Sequence, residues 1–402
     1  MNPRRHSWLP FGVTHPTITI DVEAAVRDRY SRAATAAESG LCCPTALDSK
    51  LVAAVPQEVI ARDYGCGDPT RHVGPGETVL DLGSGAGKAC YLLSQVVGAA
   101  GKVIGVDMND EMLRVSRRHV DSFSKAMGFS NIAFRKARIQ DLRLDLEALD
   151  AYLRESPVRS SEDLAKLDAH TRALREQRPA VADGSVDVVV SDCVLNLVRP
   201  EDKEQLFREI HRVLKRGGRA VISDIVSDED VPEHLQRDPA LWSGCISGAM
   251  REDRFLEAFE KAGFYGIAVV ERQVKPWRTV EGVEFRSVTV IAYRGKEGAC
   301  WDKKQAVVYR GPFREVKDDD GHVLRRGVRV AVCEKTFELY SRAPYREYFD
   351  FVEPLVPVPP DEVKPFPCGA SMLVRDPRET KGQDYQATTE SAGDCCGGAC
   401  SC

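Results

Sequence analysis

The sequence predicts an α/β fold built on a mostly parallel sheet, and three observations predict it. Short β-branched runs alternate with helical stretches between residues 75 and 295, the pattern of βαβ units. One run leads directly into a glycine turn, "VLDLGSGAG" (79–87). An acidic residue, Asp107, ends the next run twenty residues after Gly87.

The strands follow in order. "ETVLDLG" (77–83), "GKVIGVDM" (101–108), "NIAFRKA" (131–137), "VDVVVSD" (186–192) and "GRAVISDI" (218–225) are apolar enough to be covered on both faces. "IAVVERQV" (267–274) and "FRSVTVIAYR" (285–294) add two late strands. Helices fit between them at 88–97, 110–127, 201–215 and 251–262, the third stopping at "RGG". Extra helical sequence at 144–182 reads as an insertion between the third and fourth strands.

Around this core the chain divides by texture. Residues 1–74 form a polar N-terminal segment with weak helical patches, and 75–225 form the sheet domain. Residues 226–298 carry a small-residue loop and the late strands, and 299–356 resemble a small β-rich domain with one short helix. Residues 357–402 combine a Pro-rich linker, "PLVPVPPDEVKPFPCG", with a tail too small and polar to fold alone.

A length of 402 residues suits two or three domains, and 43% hydrophobic with 29% charged residues is ordinary for a soluble protein. No apolar run approaches the ~18–20 residues that cross a bilayer, and "MNPRRHSWLPFGVTHP" lacks an apolar signal region. The net charge of −5 is spread along the chain, which leaves no basic stripe for nucleic acid and no membrane anchor. A cytoplasmic monomer is the expectation. Thirteen cysteines are many for such a chain, and one this long has no need of disulfide staples, so reactive or ligand-binding thiols are expected.

In the glycine turn, Gly83, Gly85 and Gly87 let the backbone approach a ligand closely. Asp107 suits the two hydroxyls of a ribose. The spacing is GxGxG, not the GxGxxG that seats a pyrophosphate, and acidic Asp81 precedes it. That combination suits S-adenosylmethionine, which carries a sulfonium, an ammonium and a ribose but no phosphate. Met108 is placed against the adenine, and "ARIQDL" (137–142), with Ile139 and Gln140, near the base edge. For Met108 and Ile139 ordinary core packing is an equal reading. Asp192, closing the fourth strand, faces the ligand at the carboxyl edge of the sheet. Tyr64 and Ser84 complete the expected cofactor-binding set.

Three cysteines fall near the same edge. Cys193 follows the fourth strand, Cys245 sits in "LWSGCISGA" after the fifth, and Cys66 sits in "YGCG" just before the sheet domain. Their spacing is unlike a zinc site, with no CxxC pair before the tail and no paired histidines. Three convergent thiols would make a pyramidal site for a soft, three-coordinate centre. The vicinal pair Cys42 and Cys43 in "SGLCCPT" lies in a stretch with no strong period. Cys90 follows the glycine turn, where burial is expected. Cys300, Cys333 and Cys368 are scattered and carry no assigned role, and Cys395, Cys396, Cys400 and Cys402 crowd the tail.

These contexts together resemble the arsenite S-adenosylmethionine methyltransferases. The matching stretches are "YGCG", "VLDLGSGAGKACYLLSQVVG", "GKVIGVDM", "VVVSDCVLNLV", "RVLKRGG", "LWSGCISGA" and the cysteine-rich tail, within a resemblance covering roughly residues 30–355. It implies a class I, Rossmann-like S-adenosylmethionine methyltransferase fold with an N-terminal extension, arsenic-binding loops and a small β-rich C-terminal domain. It also implies that Cys66, Cys193 and Cys245 bind trivalent arsenic, and that Cys42 or Cys43 cooperates with Cys66. The insertion at 144–182 departs from shorter members.

Arsenite and methylarsenite are then the expected substrates. Thiolate-bound trivalent arsenic keeps a lone pair and is itself the nucleophile, so no general base is required. Each transfer oxidises it, and reduction by a thiol pair is expected, restored by an external thiol of the glutathione or thioredoxin class. Two other readings stand beside this one. A methyltransferase for a small organic substrate would need an acid–base pair facing the methyl group. A thiol-rich sequestering protein would need neither the glycine turn nor Asp107.

Overall fold

The computed structural model describes residues 21–36, 38, 47–62, 64, 65, 67–369 and 372–382. The strands are β1 (Thr78–Leu82), β2 (Lys102–Asp107), β3 (Ile132–Lys136), β4 (Val186–Asp192), β5 (Leu214–Ser227), β6 (Tyr265–Arg272) and β7 (Val283–Tyr293). They form one sheet in the order β3-β2-β1-β4-β5-β7-β6. β1 pairs in parallel with β2 and with β4, and β2–β3 and β4–β5 are parallel as well. Strand order therefore reverses at β1. In open α/β sheets a ligand crevice opens outside the carboxyl ends at such a point.

The described residues form two compact units, those within 21–262 and 268–291, and those within 263–267 and 292–382. In the first, Val79, Leu82, Val103, Val106, Val188 and Val189 of the central strands are fully buried. Helix Lys88–Val97 covers Val79, Val103 and Val188 on one face with Tyr91, Leu92 and Leu93. Farther along, Phe207 of helix Pro200–Val213 meets Phe255 and Phe259 of helix Glu252–Lys261 in an edge-to-face trio with centroids 4.8–6.1 Å apart. Helices Leu146–Glu155 and Ser161–Gln177 occupy the extra helical sequence, capped by Asp145 and Ser160. Only Leu174 of the pair is buried, and polar contacts such as Lys136–Asp150 at 2.7 Å and Arg175–Asp141 at 2.8 Å hold them down.

Three expectations need correction. The helix placed at 201–215 ends at Val213. Leu214 pairs with Val186 and the ladder resumes at Val188–Arg219, so "RGG" forms a bulge inside β5, with Gly217 at φ 81°, and is not a helix stop. The helix placed at 110–127 breaks at His119 into Asp110–Arg118 and Val120–Met127, where the His119 ring meets Glu58 at 2.7 Å. The Pro-rich stretch is not a plain linker: Lys364–Pro365 pairs with Trp301–Asp302, and Phe366 is buried.

The second unit is built on an antiparallel sheet of Arg329–Ala331, Ala306–Tyr309 and Phe349–Val352. Val307, Tyr309, Phe337, Tyr340 and Phe349 form its core, with Tyr340 stacked on Phe349 at 4.7 Å. Buried Arg375 ties its late segments together through Asp302 at 2.6 Å and Glu379 at 2.7 Å.

Removing Phe259 leaves a cavity that neither helix can close alone. Phe259→Ala is expected to destabilise the first unit by about 3–5 kcal/mol. Urea unfolding should show the midpoint falling at an unchanged m-value.

Candidate active site

The glycine turn begins where β1 runs out. Gly83 and Ser84 donate their N–H groups to Val106 O of β2 at 2.8 and 3.0 Å, which continues the ladder into the loop. The chain then reverses through Gly83, Gly85 and Gly87 at φ 67°, 50° and 93°, the left-handed region that glycine enters freely. Asp107 closes the turn from β2. Its Oδ2 accepts from Gly85 N and its Oδ1 from Asn109 N, both at 2.8 Å. Burial pushes its carboxyl above the usual value, and these backbone donors work the other way. Each oxygen keeps acceptor capacity for a further donor.

A pocket opens over this turn. Tyr64, Asp81, Gly83, Ser84, Gly85, Asp107, Met108, Ile139, Gln140, Asp192 and Cys193 all line it. Gly87 does not; it packs beneath, where an added Cβ would come within 2.8 Å of Phe134. Asp81 is buried and accepts the Cys90 thiol at 3.2 Å, so Cys90 is a core residue whose thiol burial pushes far up.

Sequence reasoning missed the roof. Helix Val22–Thr35 contributes Glu23, Val26, Arg27 and Tyr30 to the lining. These are spaced i, i+3, i+4 and i+7, one helix face, but their mixed polarity hides the stripe that an apolar pattern would show. Asn109 Nδ2 fixes the helix through Ser31 Oγ at 2.9 Å, Tyr64 donates to Ala33 O at 3.0 Å, and Glu23 pairs with Arg138 at 2.8 Å.

The two described cysteines of the expected arsenic set are neighbours, Cys193 lining the pocket and Cys245 beside it. Cys193 and Cys245 are both buried, and the Cys245 thiol donates to Cys193 O at 3.1 Å. Cys245 does not line the pocket itself; the Tyr30 hydroxyl, which does, hydrogen-bonds to it. Both cysteines have positive φ, 57° and 62°. A non-glycine residue held there costs on the order of 1–3 kcal/mol and persists only where its surroundings fix it. Cys193 is disulfide-bonded in this structure, and Cys245 is a free thiol. Cys42, Cys43 and Cys66 lie outside the described residues. Their flanks are informative: a Cβ on Gly65 would come within 2.0 Å of Asp192 Oδ2, and one on Gly67 within 2.3 Å of Ser223 Oγ. Gly65 therefore lies directly on Asp192, the last residue of β4, and Gly67 on Ser223 within β5.

A buried polar network sets the two cysteine loops. Asn196 Nδ2 donates to Ile225 O at 2.6 Å and to Cys245 O at 3.4 Å. Asp224 accepts from Leu195 N at 2.8 Å. Lys203 donates to Gly248 O, and burial brings its ammonium down to about 8 while the same burial raises Asp224 to about 6.

A methyltransferase-domain family model matches residues 74–168 and 170–263, and a domain family of unknown function, DUF8838, matches 296–385. An arsenite methyltransferase of Aquipseudomonas alcaligenes is 34% identical over 314 residues, spanning 75% of this chain and 80% of that protein. The chain belongs to the arsenite methyltransferase family. The family's Mus musculus member is 29% identical over 364 residues, 85% of each chain. The crystal structure of an arsenic(III) S-adenosylmethionine methyltransferase from Chlamydomonas reinhardtii superposes with a TM-score of 0.52 at 26% identity, covering 79% of this chain and 99% of that one.

Members of this family are S-adenosylmethionine-dependent methyltransferases, and the lining fits that cofactor. Ser84 Oγ is buried against the pocket with no hydrogen-bond partner among the described residues. Asp107 offers unused acceptor capacity to a pair of hydroxyls beside it. Asp107→Ala should weaken S-adenosylmethionine binding by roughly 1.5–3 kcal/mol, with Asp107→Asn losing less; titration calorimetry on the folded variants is the measurement.

Proposed function

We propose that this chain transfers methyl groups to trivalent arsenic, taking arsenite and methylarsenite held by the thiolates of Cys66, Cys193 and Cys245. One observation carries the reading. Cys193, which lines the pocket that fits the methyl donor, and Cys245 beside it are both held in left-handed backbone, with the Cys245 thiol on the Cys193 carbonyl. Strain of this kind persists where the surroundings fix it and clusters at functional sites.

S-adenosylmethionine supplies the electrophilic methyl when bound. The residues of this chain do the rest. Asp107 and Ser84 orient the donor, and helix Val22–Thr35 roofs the pocket and limits water. The cysteines must reach the thiolate form to bind, so occupancy releases protons. Arsenic held by sulfur keeps its lone pair, which acts as nucleophile without a general base. Catalysis then rests on near-attack positioning, an effect worth up to about 7–11 kcal/mol. The Asn196, Asp224 and Lys203 network serves that positioning by fixing both loops.

Each transfer raises arsenic from the trivalent to the pentavalent state, a loss of two electrons. Two thiols return those electrons by closing a disulfide, and an external thiol of the glutathione or thioredoxin class reopens it. In this scheme Cys42 or Cys43 is the relay partner of Cys66.

Incubation with arsenite, S-adenosylmethionine and a thiol, followed by mass-spectrometric speciation of methylated arsenicals, tests the function directly. Absence of methylated arsenic would overturn it. Cys245→Ser should lower methylation of arsenite at least ~100-fold, because a hydroxyl is a hard, weakly acidic ligand. The double change Cys42→Ser with Cys43→Ser should slow methylation of arsenite but spare a single turnover on methylarsenite under strong external reductant. Rapid-quench assays on both substrates distinguish these outcomes, and equal losses would remove the relay.

A further inference from the structure

Cys300, Cys333 and Cys368 are far apart in sequence, yet the second unit brings their sulfurs within 4.8 Å of one another. Each comes from a different segment. Cys300 precedes strand Trp301–Asp302, and Cys368 follows its antiparallel partner Lys364–Pro365. Phe366 N donates to Cys300 O at 2.8 Å, and Cys368 N to Phe366 O at 2.8 Å, which locks these two against each other. Cys333 caps helix Glu334–Tyr340, its sulfur accepting from Thr336 N at 3.4 Å. Phe366 and Ala331 pack with Cys333 and Cys300 as an apolar floor. Cys333 is buried, Cys300 half-buried and Cys368 exposed, so the cluster opens on one side, and all three thiols are free.

We propose that these three cysteines form a second thiolate site, one that takes up trivalent arsenic independently of the site beside the cofactor pocket. The choice of ion rests on the function proposed above; the donor set rests on geometry alone. Among the described residues, three sulfurs make up the cluster, with no imidazole or carboxylate in it. A structural zinc ion takes four protein ligands in a tetrahedron, and this set leaves it one short. Three soft thiolates complete the shell of a pyramidal centre that carries a lone pair. Uptake from arsenous acid forms three As–S bonds and breaks three As–O bonds. Each thiol proton leaves in one of three waters, so the oxidation state is unchanged and no reductant is consumed. The bound ion would cross-link three segments that also meet through a short ladder, a small apolar floor and the Lys303–Glu334 ion pair.

The test uses the full chain. One reduced protein carries Cys66→Ser, Cys193→Ser and Cys245→Ser, which removes the proposed transfer ligands. A second adds Cys300→Ser and Cys368→Ser, the two less buried members, and leaves the Cys333 cap in place. Both are incubated with sodium arsenite, desalted, and measured for arsenic per chain and for sulfur neighbours by X-ray absorption. The first should retain about one arsenic with three sulfur neighbours, as a closed trithiolate site requires, and the second should lose it. The other cysteines are common to both proteins, so the difference reports this cluster. If the paired change unfolds the unit by circular dichroism, Cys368→Ser alone in the first background should lower retention at least ~10-fold, as loss of one of three soft ligands demands. Equal arsenic in the compared proteins, or one zinc per chain at these thiols that arsenite fails to displace, would overturn the proposal. Methylation by the unaltered chain is read separately, so failure of the function and failure of this site remain distinct.

Discussion

β1 hydrogen-bonds to β2 along one side and to β4 along the other, both in parallel, and so brings three distant segments to a common edge. Leu82 faces Val106 across one ladder and Ser191 across the other. The next residues along each strand are therefore the glycine turn, Asp107 and the pair Asp192–Cys193. Every later element of the site refers to that edge. The turn uses Val106 O as its first anchor, Asp107 closes it, and Gly65 lies on Asp192. Because a parallel sheet is buried on both faces, the strands that set this register are apolar throughout, and the chemistry is confined to their ends.

Holding two cysteine loops at those ends demands polar groups inside the protein. Asn196 spans the gap, reaching the backbone of β5 at Ile225 and that of Cys245. Gly248 makes room for this, since a Cβ there would come within 1.9 Å of Asn196 O. Asp224 and Lys203 are buried nearby, and their shifted titration reflects the cost of desolvating both. Such a network adds little net stability but fixes one arrangement of the loops, which is what two neighbouring residues in left-handed backbone require.

The framework was legible because burial writes a simple pattern. Runs such as "VDVVVSD" are unbroken and β-branched, and β4 occupies those same seven residues. The helix read at 88–97 is likewise Lys88–Val97. Where two local rules compete, the reading failed. "RGG" carries the signature of a helix stop, yet strand pairing by Leu214 claimed the residues before it. The pocket floor was readable from glycine spacing and an acid at a fixed distance, whereas its roof came from a helix whose inward face mixes Glu23, Val26, Arg27 and Tyr30. The three C-terminal cysteines were invisible as a group, because their convergence depends on the pairing of two-residue strands that no periodicity announces.

Helix Val22–Thr35 borders both the cofactor pocket and the thiol loop. It meets the glycine-turn side through Asn109 and the loop side through Tyr30 on Cys245 and Arg29 on Ser243 Oγ at 3.0 Å. One rigid body thus senses two occupancies. Any free energy that donor binding spends or gains in settling this helix is carried over to the cysteine loop where arsenic is proposed to bind, and linkage makes the effect equal in the reverse direction. The strength of that coupling is then the same whichever ligand arrives first, and a single helix carries it.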